Sequence, residues 1–179
     1  STLPQSILSG EEIQIPPDSI REIFRLVDLG TNDTFYHLGC GDGKSLSIAR
    51  QEFNVKDAVG IDNSKKMIDI AKKKIKEENI TNTKLIEQDI LDAELNDANV
   101  ILCWFMDVEI LEKMMDKFKK LRDDVQIITI WAPLPGCIPQ KVDFPYIVNK
   151  IPFVETDDLR EQLLAVFETE CIGFVTAWE

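Results

Sequence analysis

Phe35-Tyr36-His37-Leu38-Gly39-Cys40-Gly41-Asp42-Gly43-Lys44-Ser45-Leu46 decides how this chain is read. An apolar strand pattern runs into three glycines at alternate positions, and a helical pattern starts at Lys44. Without Cβ atoms at Gly39, Gly41 and Gly43 the backbone can turn sharply and let a bulky ligand lie against it. The helix that follows points its free N–H groups at the same place. The stretch is therefore expected to be a nucleotide-cofactor loop between a first strand and a first crossover helix.

The spacing is G-x-G-x-G. It departs from the G-x-G-x-x-G of dinucleotide binders and from the phosphate loop of nucleotide hydrolases, which moves the reading from a nicotinamide or flavin towards S-adenosylmethionine. Such a triplet is weak by itself, since glycine turns also serve packing. Position strengthens it. Nineteen residues beyond Gly43, the apolar run Val59-Gly60-Ile61 ends in Asp62-Asn63-Ser64, where a carboxylate is placed to accept from both ribose hydroxyls. The alternative role for Asp62, Asn63 or Ser64 is to cap the next helix. A third strand pattern, Leu85-Ile86-Glu87-Gln88, reaches Asp89 and Ile90. Three such strand ends side by side would place turn, ribose and adenine contacts in order along one sheet edge.

These residues resemble those of class I S-adenosylmethionine-dependent methyltransferases over roughly residues 15 to 131. The turn Leu38-Gly39-Cys40-Gly41-Asp42-Gly43-Lys44, with a proline-containing segment about twenty residues before it, is most similar to the small archaeal-type protein-lysine methyltransferases. The resemblance implies an α/β fold: a doubly wound Rossmann-like sheet, mostly parallel, with an antiparallel C-terminal edge. It implies S-adenosylmethionine as cofactor, held by His37, Gly39, Cys40, Gly41, Gly43, Asp62, Asn63, Asp89 and Ile90. It also implies that the proline segment lies over cofactor and substrate entrance, for which a plain linker is the alternative. His37 stands where most class I enzymes carry an acid that orders the loop and the methionine amino group.

Composition bounds the alternatives. At 179 residues the chain can bury a core without disulfides or metal. We expect a flexible segment over 1–15 and one methyltransferase domain over 16–179. Thirty-two acids against 20 bases, net charge −12, argue against direct nucleic-acid binding and suit a cationic acceptor. The lysines at 65, 66, 72, 73, 74 and 76 then read as the solvated face of an amphipathic helix over 64–78. Four scattered cysteines and a single histidine make no metal site, so none is expected. No run nears the roughly 20 apolar residues of a membrane span and no signal peptide is seen, so the expectation is a cytoplasmic protein without membrane contact.

The remaining elements follow from periodicity. Pro17 opens a helix with Ile20, Ile23, Phe24 and Val27 inward and Gly30 as its stop. Ala98 to Phe105 is apolar enough for a central strand, Val125 to Trp131 reads as the fifth, and a helix spans 107–121 between them. Phe144 to Phe153 and Cys171 to Trp178 read as strands pairing antiparallel at one edge, where Pro145 and Pro152 fit, and 157–168 suits helix or strand.

Ligands of open α/β sheets sit beyond the strand carboxyl ends. Trp104 and Phe105 therefore line the candidate methyl-transfer slot, with Asp107 as proton acceptor or, alternatively, helix cap. The amino-methylating D/N-P-P-Y signature is absent. With no inserted lid domain, a protein substrate offering lysine side chains is favoured over a small-molecule acceptor. A non-catalytic cofactor-binding or scaffold subunit is the reading that His37 keeps open.

Overall fold

Every residue of strand β1 (Thr34–Leu38) is buried, as expected of a strand covered on both faces. The computed structural model describes residues 14–104 and 107–176. They divide at Ala98 into two compact units.

In the first unit, α1 (Pro17–Leu26) precedes β1, α2 (Lys44–Gln51) joins β1 to β2 (Asp57–Asp62), and α3 (Lys65–Glu77) joins β2 to β3 (Thr83–Glu87). The strands are parallel in the order β3-β2-β1. Leu38 pairs with Ile61, and Asp62 with Glu87, so the three carboxyl ends share one edge as the sequence predicts. Phe24 of α1 packs edge-on against Phe35 at 4.9 Å and Phe53 at 5.2 Å, a geometry that aromatic rings favour. This cluster ties α1 to the root of the glycine loop's strand.

The second unit contains β4 (Val100–Cys103), α4 (Val108–Phe118), β5 (Gln126–Ile130), β6 (Cys137–Ile138), β7 (Lys141–Asp143), β8 (Tyr146–Lys150), β9 (Val154–Glu155) and α5 (Leu159–Thr176). Strands β4 and β5 are parallel, β8 adds to β5 antiparallel, and β7 adds to β8 antiparallel. Strands β6 and β9 form a separate ribbon. The fold is thus the expected α/β, Rossmann-like class, mostly parallel with antiparallel strands at its C-terminal edge.

Several local expectations are corrected. Helix α1 stops at Leu26, not Gly30: Asp28 takes φ +50° and the Leu29 amide donates back to the Phe24 carbonyl, an aspartate filling the left-handed position glycine usually takes. The region from Leu159 to Thr176, which includes Cys171, is helix, where the sequence reading had a strand over 171–178. Its apolar residues recur too densely to show a period, and an apolar run suits a buried helix and a strand equally. The edge strand is instead β7, and β8 lies between β5 and β7. Pro145 and Pro152 flank β8, so it keeps its ladder hydrogen bonds. Of the segment 1–15, Ile15 is buried and Gln14 is placed against the glycine loop; residues 1–13 lie outside the described residues.

Candidate cofactor site and acceptor side

The glycine loop adopts the conformation its composition calls for. Gly39, Gly41 and Gly43 have φ of +80°, +54° and +77°, a region where a side chain costs about 1 kcal/mol or more. The amides of Gly39 and Cys40 both donate to the Ile61 carbonyl, at 2.7 and 3.1 Å, which pins the loop to the end of β2. A Cβ on Gly39 would meet nothing within 4 Å, so the space above that residue is open for a ligand.

Asp62 completes the cradle. Its Oδ2 accepts from the Gly41 amide at 2.9 Å and its Oδ1 from the Ser64 amide at 2.9 Å. The side-chain cap of α3 is Ser64, whose hydroxyl accepts from the Met67 amide. Asp62 is therefore not the cap, and each of its oxygens retains a lone pair for a ribose hydroxyl. Asn63 is exposed at the same turn. Asp89 accepts from the Leu91 amide at 3.0 Å and opens the 3-10 turn Ile90–Asp92, with Ile90 half-buried beside it.

His37 is buried at the base of the loop, and its Nδ1 lies 2.6 Å from Ser45 Oγ in the first turn of α2. Burial pushes its pKa down to about 4, against the smaller opposing pull of Asp42. The ring is therefore neutral at neutral pH and bonds the start of α2 without adding charge. The usual acid would add one; the carboxylates at this loop are Asp42 and Asp62.

Asp42 is a contributor that the sequence reading passed over. Its Oδ1 accepts from the Lys44 amide at 3.1 Å at the start of α2, and its Oδ2 from Lys74 Nζ at 2.9 Å. The Gln14 amide, oriented with nitrogen towards Asp42, donates to it at 2.7 Å and lies over Gly41. Lys74 is thus no simple member of the solvated lysine face. The proline-side segment does reach the loop at Gln14. The only available signals were an acid inside a glycine turn and a lysine at the inner edge of the helical stripe.

Gly60 was also missed. A Cβ there would come within 2.8 Å of Cys40 Sγ and Leu46 Cδ1. The signal was a lone glycine inside an apolar strand, which often marks close approach. Cys40 and Cys103 are buried, with thiols pushed up to about 12 by burial, so neither is a thiolate nucleophile. No group of histidine, cysteine or acidic side chains among the described residues is arranged to hold a metal.

On the second unit, Trp104 follows β4 directly and is half-buried. Phe105 lies outside the described residues. Asp107 caps α4, its Oδ1 accepting from the Glu109 amide at 2.9 Å, which is the alternative the sequence offered. Trp131 directly follows β5 at φ +72° and is 59% exposed, with Phe144 packed edge-on at 5.3 Å. Gln162 is buried and donates to the carbonyls of Leu134 at 2.6 Å and Cys137 at 2.8 Å, fixing the turn that follows Trp131.

An alternating-glycine loop pinned to β2, an acid after β2 with free lone pairs and a third strand end beside them fit S-adenosylmethionine. Fold and loop together define a class I S-adenosylmethionine-dependent methyltransferase. Within that class the chain belongs to the ANTKMT methyltransferase domain family, whose model matches residues 37–141. A protein named protein-lysine N-methyltransferase from Saccharolobus islandicus (strain REY15A) is 24% identical over 132 residues, covering 73% of this chain and 81% of that one. The crystal structure of an RNA methyltransferase from Salinibacter ruber in complex with S-adenosyl-L-homocysteine has a TM-score of 0.74 at 21% identity, covering 82% of this chain and 99% of that one. PKMT2 from Rickettsia typhi, in complex with AdoHcy, has a TM-score of 0.52 at 25% identity, with 68% of this chain matched to 26% of that one. The protein is a methyltransferase, and S-adenosylmethionine is its cofactor. No described helix is long and apolar enough to cross a membrane.

Proposed function

We propose that this enzyme methylates lysine side chains of proteins. The observation that carries this reading is the relative named protein-lysine N-methyltransferase, which aligns with 73% of the chain. The excess of acids over bases, 32 to 20, suits a cationic acceptor.

The cofactor supplies a methyl group already activated on a sulfonium, so the protein's work is binding, orientation and water exclusion. In this reading the carboxylate of Asp62 takes the ribose hydroxyls, Asp89 and Ile90 border the adenine, and Gly39 lets the cofactor lie against the backbone. His37 and Asp42 act one layer beneath, holding the loop. A lysine ammonium must lose its proton before its nitrogen can form the new bond to carbon. Burial against Trp104 and Trp131 lowers the pKa of the ammonium and favours the neutral amine, and in this reading Asp107, whose carboxylate spends one oxygen on the Glu109 amide, takes the proton with the other.

The test is transfer of labelled methyl into a cell extract fractionated into protein, nucleic acid and small molecules, with Asp62→Ala as the binding-deficient control. Base-stable label in protein, mapped to lysine by mass spectrometry, is expected. Label confined to small molecules or nucleic acid overturns the reading, and cofactor binding without any transfer identifies a scaffold subunit.

A further inference from the structure

Between β3 and β4 a parallel crossover ordinarily carries a helix over one face of the sheet. Here Gln88 to Asn99 carries a single 3-10 turn, Ile90–Asp92. On the first unit this leaves a cavity of about 430 Å³ over the face formed by Tyr36, Val59, Ile61 and Ile86. The register puts these side chains on one side: Tyr36 is opposite Val59, and Ile61 opposite Ile86. The rim carries Asp92, Glu94 and Asp97 against one base, Lys84.

Tyr36 is the telling residue. It is only 7% exposed, and it lines the cavity without a side-chain hydrogen bond to another described residue. Burial raises its pKa, with further contributions from Asp97, Asp57 and Glu94, so the hydroxyl sits in a negative field. A hydroxyl lining the cavity in such a field, with an apolar floor and an acidic rim, matches the chemistry of a guanidinium or ammonium on an aliphatic stem.

We propose that this groove docks a basic segment of the acceptor protein, seating a lysine or arginine side chain over Tyr36 among the rim carboxylates. The proposal rests on the reading that the acceptor is a protein. It assigns a second binding surface, distinct from the glycine loop, whose role is to bring a positively charged polypeptide to the enzyme.

The test uses the full chain and a fluorescent arginine-rich peptide that contains no lysine, with binding read by anisotropy at fixed ionic strength. The dissociation constant is expected to rise about tenfold in the Asp92→Asn, Glu94→Gln double variant and several-fold in Tyr36→Phe. Unchanged binding of S-adenosylhomocysteine in both variants serves as the check on folding. Equal peptide affinity for wild type and the double variant overturns the proposal. So does a wild-type dimer, seen by sedimentation velocity, that the double substitution dissociates, because the groove then belongs to a second copy. Since the peptide cannot be methylated, its binding reads the groove whether or not lysine is the acceptor. Conversely, protein-lysine labelling with the same KM for the basic acceptor in wild type and double variant sinks the groove and leaves the lysine reading standing.

Discussion

Nδ1 of His37 and Oγ of Ser45 lie 2.6 Å apart inside the first unit, joining the end of β1 to the first turn of α2 beneath the glycine loop. The histidine is neutral there because burial holds its pKa near 4, below the 6.5 of an exposed imidazole. The unfolded chain therefore takes up this proton first as the pH drops. Stability from the neutral ring is complete above pH 6.5 and is lost on descending towards pH 4. His37→Gln keeps a polar partner for Ser45 and removes the titration. Denaturant melts between pH 4.5 and 6.5 are expected to show a shallower pH slope in the variant, by up to one proton, or about 1.4 kcal/mol per pH unit. Identical slopes would mean that His37 titrates in the folded protein as it does in the unfolded chain.

One oxygen of Asp62 accepts from the Gly41 amide and the other from the Ser64 amide, and each keeps a lone pair for the ribose hydroxyls it is proposed to hold. Asp62→Ala is expected to weaken S-adenosylhomocysteine binding by about 30-fold or more, from losing charged hydrogen bonds each contributing about 1.5–3 kcal/mol. Asp62→Asn keeps one acceptor oxygen and should fall between the two. Isothermal titration calorimetry gives all three constants. An alanine variant that binds as tightly as wild type would remove Asp62 from the site.

The first unit was legible in sequence because its signals were local. Alternating glycines, strand-end acids and the stripe of Met67, Ile68, Ala71 and Ile75 each fixed an element, and their separations fixed the sheet order. What escaped depended on neighbours distant in sequence. Asp42 binds Lys74, 32 residues away, and Gly60 is required because Cys40 and Leu46 press on it. In the second unit the C-terminal segment lacked periodicity, so its pattern did not separate helix from strand. The short strands β6, β7 and β9, of two or three residues, carry too little pattern to be seen.

The loop glycines separate folding from binding. A Cβ at Gly43 would lie 3.1 Å from Ala71 Cβ at φ +77°, whereas one at Gly39 meets no protein atom at φ +80°. Gly43→Ala is expected to lower the melting temperature by several degrees, through crowding against α3 added to backbone strain of about 1 kcal/mol. Gly39→Ala carries the strain alone but fills the space proposed for the ligand. Its melting temperature should drop less while its affinity for S-adenosylhomocysteine falls more than tenfold. Thermal shift and calorimetry on the pair check this, and the opposite ranking would place the ligand elsewhere on the loop.

Asn149 of β8 lies opposite Ile127 of β5 and is 1% exposed, and neither atom of its amide has a partner. Thr129, on the same face and also buried, has an unpaired hydroxyl. Orphaned polar groups of this kind cost about 1–3 kcal/mol each. Asn149→Leu replaces the amide with a side chain of similar size that needs no partner, so it is expected to stabilise the protein by about 1–2 kcal/mol. That gain corresponds to a rise of several degrees in melting temperature for a chain of this length. Thr129→Val should act in the same direction with smaller effect, and the two changes lie close enough to be less than additive. Calorimetric melts of the single and double variants decide it. A loss of stability in Asn149→Leu would show that the amide is satisfied in solution by buried water, which the leucine cannot replace.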